Sequence, residues 1–125
     1  MKNRFDTITV ALAASAFLIG AAPASAQTGE VVQWNRVATD AMATAQTDPL
    51  TESRVLAILH LAIHDTLNSL KPRYRTYATV RTTDTAGASA EAAVAAAAHA
   101  TLTALLPACK TTFDAQLGKS LDAIA

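Results

Sequence analysis

The stretch S-R-V-L-A-I-L-H-L-A-I-H-D-T-L-N-S-L-K-P-R-Y-R-T-Y, Ser53 to Tyr77, decides the fold class. Up to Pro72 it carries the longest uninterrupted helical pattern in the chain, and it holds two of the three histidines. On a helix each residue advances about 100°. With Leu56 at the origin, Ala62, Val55, Thr66, Leu59, Leu70, Ile63 and Leu67 share one sector roughly 140° wide. That is a broad core-facing stripe rather than a narrow coiled-coil seam. His60, His64 and Asn68 follow beside it, one per turn, as a polar ridge. Arg54 and Asp65 lie on the far side, yet Ile58 and Leu61 flank them there. Apolar residues on nearly every side suit a helix with helical neighbours all round, so this segment is expected at the centre of an all-α bundle.

Outward from that helix the punctuation is local. Thr47-Asp48-Pro49 interrupts the pattern before it, and proline is favoured in a first helical turn. Pro72 restricts the residue before it and ends the helix near Lys71. An earlier helix runs from Glu30 to about Gln46, with Val31, Trp34, Ala38, Ala41 and Ala45 at helical spacing. Glu30 sits at its start, where a carboxylate suits the helix dipole. Residues 72–88 contain Pro72, Gly87 and several threonines and read as an irregular connection. It is long for a structureless loop, so Tyr74, Tyr77 and Val80 are expected to fold back onto the bundle. Ser89 is an N-cap candidate for a third helix that runs to Leu106. That helix is alanine-rich, with Val94, Leu102 and Leu105 as its larger contacts. Leu106-Pro107 breaks it, and Phe113, Leu117, Leu121 and Ile124 line one face of a fourth helix. Gly118 within it costs roughly 1 kcal/mol relative to alanine.

The whole chain has 125 residues, enough for one domain. Residues 1–26 have the layout of a secretory signal peptide: Lys2 and Arg4, a hydrophobic run from Ile8 to Ala22, then Ala24-Ser25-Ala26. The run is short for a membrane span, so a stable anchor is not expected. Cleavage near Ala26 would deliver residues 27–125 to the periplasm or the medium. Its removal leaves eight basic and nine acidic side chains and a net charge near −1. No basic patch argues for nucleic acid; Lys71, Arg73, Arg75 and Arg81 read as a solvated loop segment. Cys109 is the only cysteine. It can form no intrachain disulfide, and burial as a small hydrophobe is the expected state.

Three chemical readings compete for the polar residues. His60 and His64, at i and i+4, could hold a metal from one helix face. A third ligand would then have to come from His99 or a distant carboxylate, since Asp65 points elsewhere and zinc sites usually take three protein ligands. The structural reading is preferred: Asn35, His60, His64, Asp65 and Asn68 form a polar network. Its partners would be backbone groups of the loop after Pro72 or of the first helix, because buried polar groups need partners. Trp34 fills the core next to Asn35. Finally, Ser53-Arg54, five residues and His60 have the spacing of the last signature of acid phosphatases that form a phosphohistidine. Within one helix Arg54 and His60 are about 240° apart, and no companion lysine/arginine-proline or Ser-Gly-His signature occurs in the chain.

Taken together, Trp34-Asn35, Arg54, A-I-L-H-L-A-I-H-D-T-L-N at 57–68 and R-Y-R-T-Y after Pro72 resemble a known N-terminal region. The alanine-rich helix, Leu106-Pro107, F-D-A-Q-L at 113–117 and S-L-D-A-I at 120–124 continue the pattern. The resemblance is to secreted bacterial proteins related to vanadium-dependent haloperoxidases and type-2 phosphatidic acid phosphatases. It implies an all-helical bundle whose oxyanion site holds vanadate or phosphate. In that family the site uses a lysine, two arginines, a Ser-Gly-His segment and a final histidine, all from the C-terminal half. None of these has a counterpart here, so no catalytic, cofactor-binding or metal residue is carried over and no cofactor is assigned to this chain. The resemblance implies an N-terminal scaffold, truncated and inactive alone, that wants the missing C-terminal half of the bundle or a homo-oligomer as partner. The competing expectation is a small secreted helical module that binds through exposed apolar faces.

Overall fold

The computed structural model describes residues 29–78, 85 and 87–124. The signal-peptide reading, Val80 and Arg81 therefore lie outside the described residues. Those described form four α-helices and no strand: α1 (Glu30–Thr44), α2 (Pro49–Leu70), α3 (Ala90–Leu105) and α4 (Lys110–Ile124), with a 3₁₀ turn at Pro107–Cys109 before α4. The fold class is all-α, a helical bundle.

Capping explains the boundaries. α1 stops at Thr44, short of Gln46, because Gln46 turns into the left-handed region with φ of 52°. The amide of Thr47 then reaches Met42 O at 3.0 Å and that of Gln46 reaches Ala43 O at 3.1 Å. This is the Schellman pattern, built here without the usual glycine. α2 starts on Asp48, whose Oδ1 accepts from the amides of Leu50 at 3.0 Å and Thr51 at 3.1 Å, with Pro49 first in the helix. Ser89 caps α3 by accepting from the amide of Ala92 at 3.2 Å. α2 ends at Leu70 and α3 at Leu105.

The core gathers Trp34, Ala38 and Met42 from α1, Val55, Leu59 and Ile63 from α2, and Phe113 from α4 around Val94, Ala95, Ala98 and Leu102 of α3. α3, and not α2, is the hub: it packs against α1, α2 and α4, whereas α2 packs mainly on α3 and more lightly on α1. Alanine side chains explain the exchange of roles. Ala95 and Ala98 are completely buried, and so small a surface lets three helices approach one backbone closely. The outer side of α2 stays open, with Leu50 84% and Leu61 37% exposed.

Two apolar faces differ from the expected ones. On α1, Met42 is buried and Ala45, beyond the last turn, is exposed. On α4, Phe113 is buried, Leu117 packs at the edge, and Leu121 is 44% exposed. Gln116 and Ser120 occupy the inner positions instead, and Gln116 Nε2 donates to Ser120 Oγ at 3.3 Å. Leu105 is likewise exposed. Gly118 faces open space.

Candidate functional site

The most elaborate polar arrangement sits at the C-terminal end of α2. Asp65 and Asn68, at i and i+3, share a helix face, and both are buried although one is charged and the other an amide. Each is matched to the backbone of the segment after Pro72. Asn68 Oδ1 accepts from the amides of Arg73 at 2.8 Å and Tyr74 at 2.9 Å, and its Nδ2 donates to Tyr74 O at 2.7 Å. Asp65 accepts from the amide of Tyr77 at 3.0 Å and from that of Ala78 at 2.7 Å. Two side chains thus satisfy four amides of a loop with no secondary structure of its own, which answers for the backbone groups that would otherwise lack partners.

His64 completes this cluster. Its Nδ1 lies 3.0 Å from Asp65 Oδ1, which fits a ring donating its Nδ1 proton to the carboxylate. The Tyr74 ring centroid lies 6.0 Å away and that of Tyr77 lies 5.8 Å away, edge-on. The amides of Ala78 and then Tyr77 hold the Asp65 carboxyl below its ordinary range; burial opposes them, and the His64 hydrogen bond adds a lesser pull in the same direction as the amides. A carboxylate that accepts several N–H bonds is stabilised in its charged form.

The five residues expected in one network therefore fall into two groups. Asp65, His64 and Asn68 clamp the loop. His60 is exposed and turns the other way, with Nε2 3.1 Å from Asn35 Oδ1, where it ties α2 to α1. The tyrosines also differ from expectation. Their backbone folds back onto the bundle, but Tyr74 is 72% and Tyr77 74% exposed. Two further polar contacts lie outside the expected network. Trp34, fully buried, donates its indole N–H to Glu30 Oε1 at 2.8 Å. His99 of α3 meets Asp114 of α4 at 2.7 Å, and Lys110 pairs with the other Asp114 oxygen. The Lys110–Asp114 spacing of i, i+4 is legible in the chain; the His99 contact is not. The Lys110 and His99 hydrogen bonds, in that order, lower the Asp114 pKa from its ordinary value.

The chemistry this arrangement can perform is limited. Among the described residues no three metal-ligating side chains converge; His60 and His64 face different partners. Cys109 is half-buried, with Sγ 4.0 Å from Ala41 O. Arg54 is exposed, on another side of α2 from His60. A vanadate or phosphate cradle requires several cationic donors aimed at one point. Here Lys71, Arg73 and Arg75 are spread along an exposed loop, and the nearest imidazole is engaged by a carboxylate that would repel an oxyanion. The described residues do not fit that group. Among the described residues no helix is long and apolar enough to cross a membrane.

The described residues thus form an all-α bundle with a polar clamp at the end of α2. The chain belongs to the vanadium chloroperoxidase N-terminal domain family, whose model matches residues 28–122. Neither a curated protein nor a solved structure matches it. It is a haloperoxidase-like N-terminal segment, and the polar clamp lies within the matched span.

Proposed function

We propose that this chain is the scaffold segment of a secreted vanadium-haloperoxidase-like protein and has no catalytic activity by itself. The observation that carries this reading is the family match over residues 28–122, from the start of α1 into the last turn of α4; among the described residues no oxyanion donor set converges. The outer face of α2, where Leu50 and Leu61 are exposed, supplies the surface for the part of the protein that holds the oxyanion. The cofactor of the assembled protein is vanadate, and its chemistry is halide oxidation rather than phosphate-ester hydrolysis, following the family's description. Asn35, His60, His64, Asp65 and Asn68 have a structural role: the first two join α1 to α2, and the others shape the loop. Residues 1–26 direct export and are removed.

A small domain buries a limited share of its surface and is marginal. Residues 27–125 alone are therefore expected to unfold broadly on heating and to aggregate, as followed by circular dichroism. They should take up no stoichiometric vanadate in a ⁵¹V NMR titration. A sharp cooperative transition would instead favour a self-sufficient binding module that acts through the exposed apolar faces. Tight vanadate uptake would refute the scaffold reading outright.

A further inference from the structure

Residues 71–78 read K-P-R-Y-R-T-Y-A, with three cations, two tyrosines and no acid. Every one of these residues is exposed. Loops whose side chains bury nothing usually open easily, yet this backbone is held by two buried α2 side chains. The clamp serves the conformation of the loop rather than the filling of the core. A loop already ordered loses less entropy on meeting a partner, and tyrosine and arginine are the residue types that most often dominate interfaces. Beside the loop, Leu67, Leu70 and Ala90, with His64 and Asn68, line a cleft of about 350 Å³ edged by Lys71, Arg73 and Tyr74.

We propose that the clamped loop 71–78 and this cleft form a docking site for an acidic polypeptide segment with an apolar anchor. The anchor side chain enters the cleft, and flanking carboxylates pair with Lys71, Arg73 and Arg75. The charge of the rim selects the sign of the partner. The apolar lining selects its anchor, and the volume suits one or two large side chains. Three cations fall short of the four to eight that mark an anionic-membrane patch. A chain with a pI near 6.8 lacks the basic balance of a nucleic-acid binder. The site goes beyond the scaffold reading, because Leu50 and Leu61 of the outer α2 face take no part in it.

The test uses the full chain and a fluorescein-labelled 12-residue probe peptide made of glutamates around a central Leu-Phe pair, read by anisotropy. Binding of this peptide, with none of a lysine counterpart, is expected. The double variant Arg73→Gln/Arg75→Gln, altered only at exposed positions, should weaken it by about tenfold or more. Asn68→Ala keeps every loop charge but releases the loop, and should weaken it by a smaller factor with the helical circular dichroism signal retained. Leu61→Asp, on the outer α2 face, should leave it unchanged, so that failure here is separable from failure of the scaffold reading. Equal binding of both peptides, an Asn68→Ala affinity equal to that of the parent, or stronger capture by phosphatidylserine vesicles than by the peptide would each overturn the proposal.

Discussion

Replacing Phe113 by alanine is the sharpest test of how α4 is held. Phe113 is completely buried against the α3 core. An aromatic side chain buries about 150–250 Å², which at about 25 cal/mol per Å² corresponds to roughly 4–6 kcal/mol as an upper bound. Phenylalanine-to-alanine changes in cores cost about 3–5 kcal/mol, and we expect a value in that range. Apart from the partly buried Leu117, little else holds α4 by burial: Gln116 and Ser120 are small or polar, and Leu121 is 44% exposed. The informative comparison is Leu121→Ala, expected to cost about 0.5 kcal/mol, as exposed positions usually do. Urea titrations of parent and variants, compared as shifts in midpoint, rank the two losses. Native-state hydrogen exchange should show α4 amides losing protection before those of α2 and α3. A Leu121→Ala cost equal to that of Phe113→Ala would mean that α4 is rotated from this orientation.

Four further outcomes follow from the same contacts. Asp65 has a folded-state pKa below its unfolded value of about 3.9, so its contribution to stability is present above that value and lost as pH falls through the folded one. Urea midpoints at successive pH values should drop on the acid side, and less steeply in Asp65→Asn. Asn68→Ala removes three hydrogen bonds to a solvent-reachable loop and should cost about 1–3 kcal/mol by denaturation. Asn68→Asp, which can accept but not donate, should fall between it and the parent. Ala98→Leu places a large side chain where α3 has no exposed surface; overpacking should cost about 1–3 kcal/mol, and a gain in melting temperature would contradict the close approach of the helices. Gly118→Ala meets nothing within 4 Å and should stabilise by about 1 kcal/mol, visible as a raised urea midpoint.

Element boundaries were legible because they are decided within a turn of chain. Asp48-Pro49, Lys71-Pro72, Ser89 and Leu106-Pro107 place the ends of α2, α3 and α4 through capping and backbone sterics, which need no distant partner. Gln46 was misread as helical because a left-handed non-glycine cap leaves no compositional mark. The order of motifs along the chain also pointed to the family that the match over residues 28–122 shows.

Burial was less legible, since it depends on what faces each residue. Helical spacing gives Leu121 the same standing as Phe113, but in the bundle Gln116 and Ser120 are buried and Leu121 is 44% exposed. The buried alanines of α3 moved the centre of the bundle from α2 to α3. The loop after Pro72 is among the partners expected for Asp65, and only the packing fixes which amides it meets, those of Tyr77 and Ala78. Helix ends and family were thus written in residues adjacent along the chain. The inward faces and the His99–Asp114 contact were decided by packing between residues farther apart in it, where the chemistry of one side chain depends on its neighbour in space.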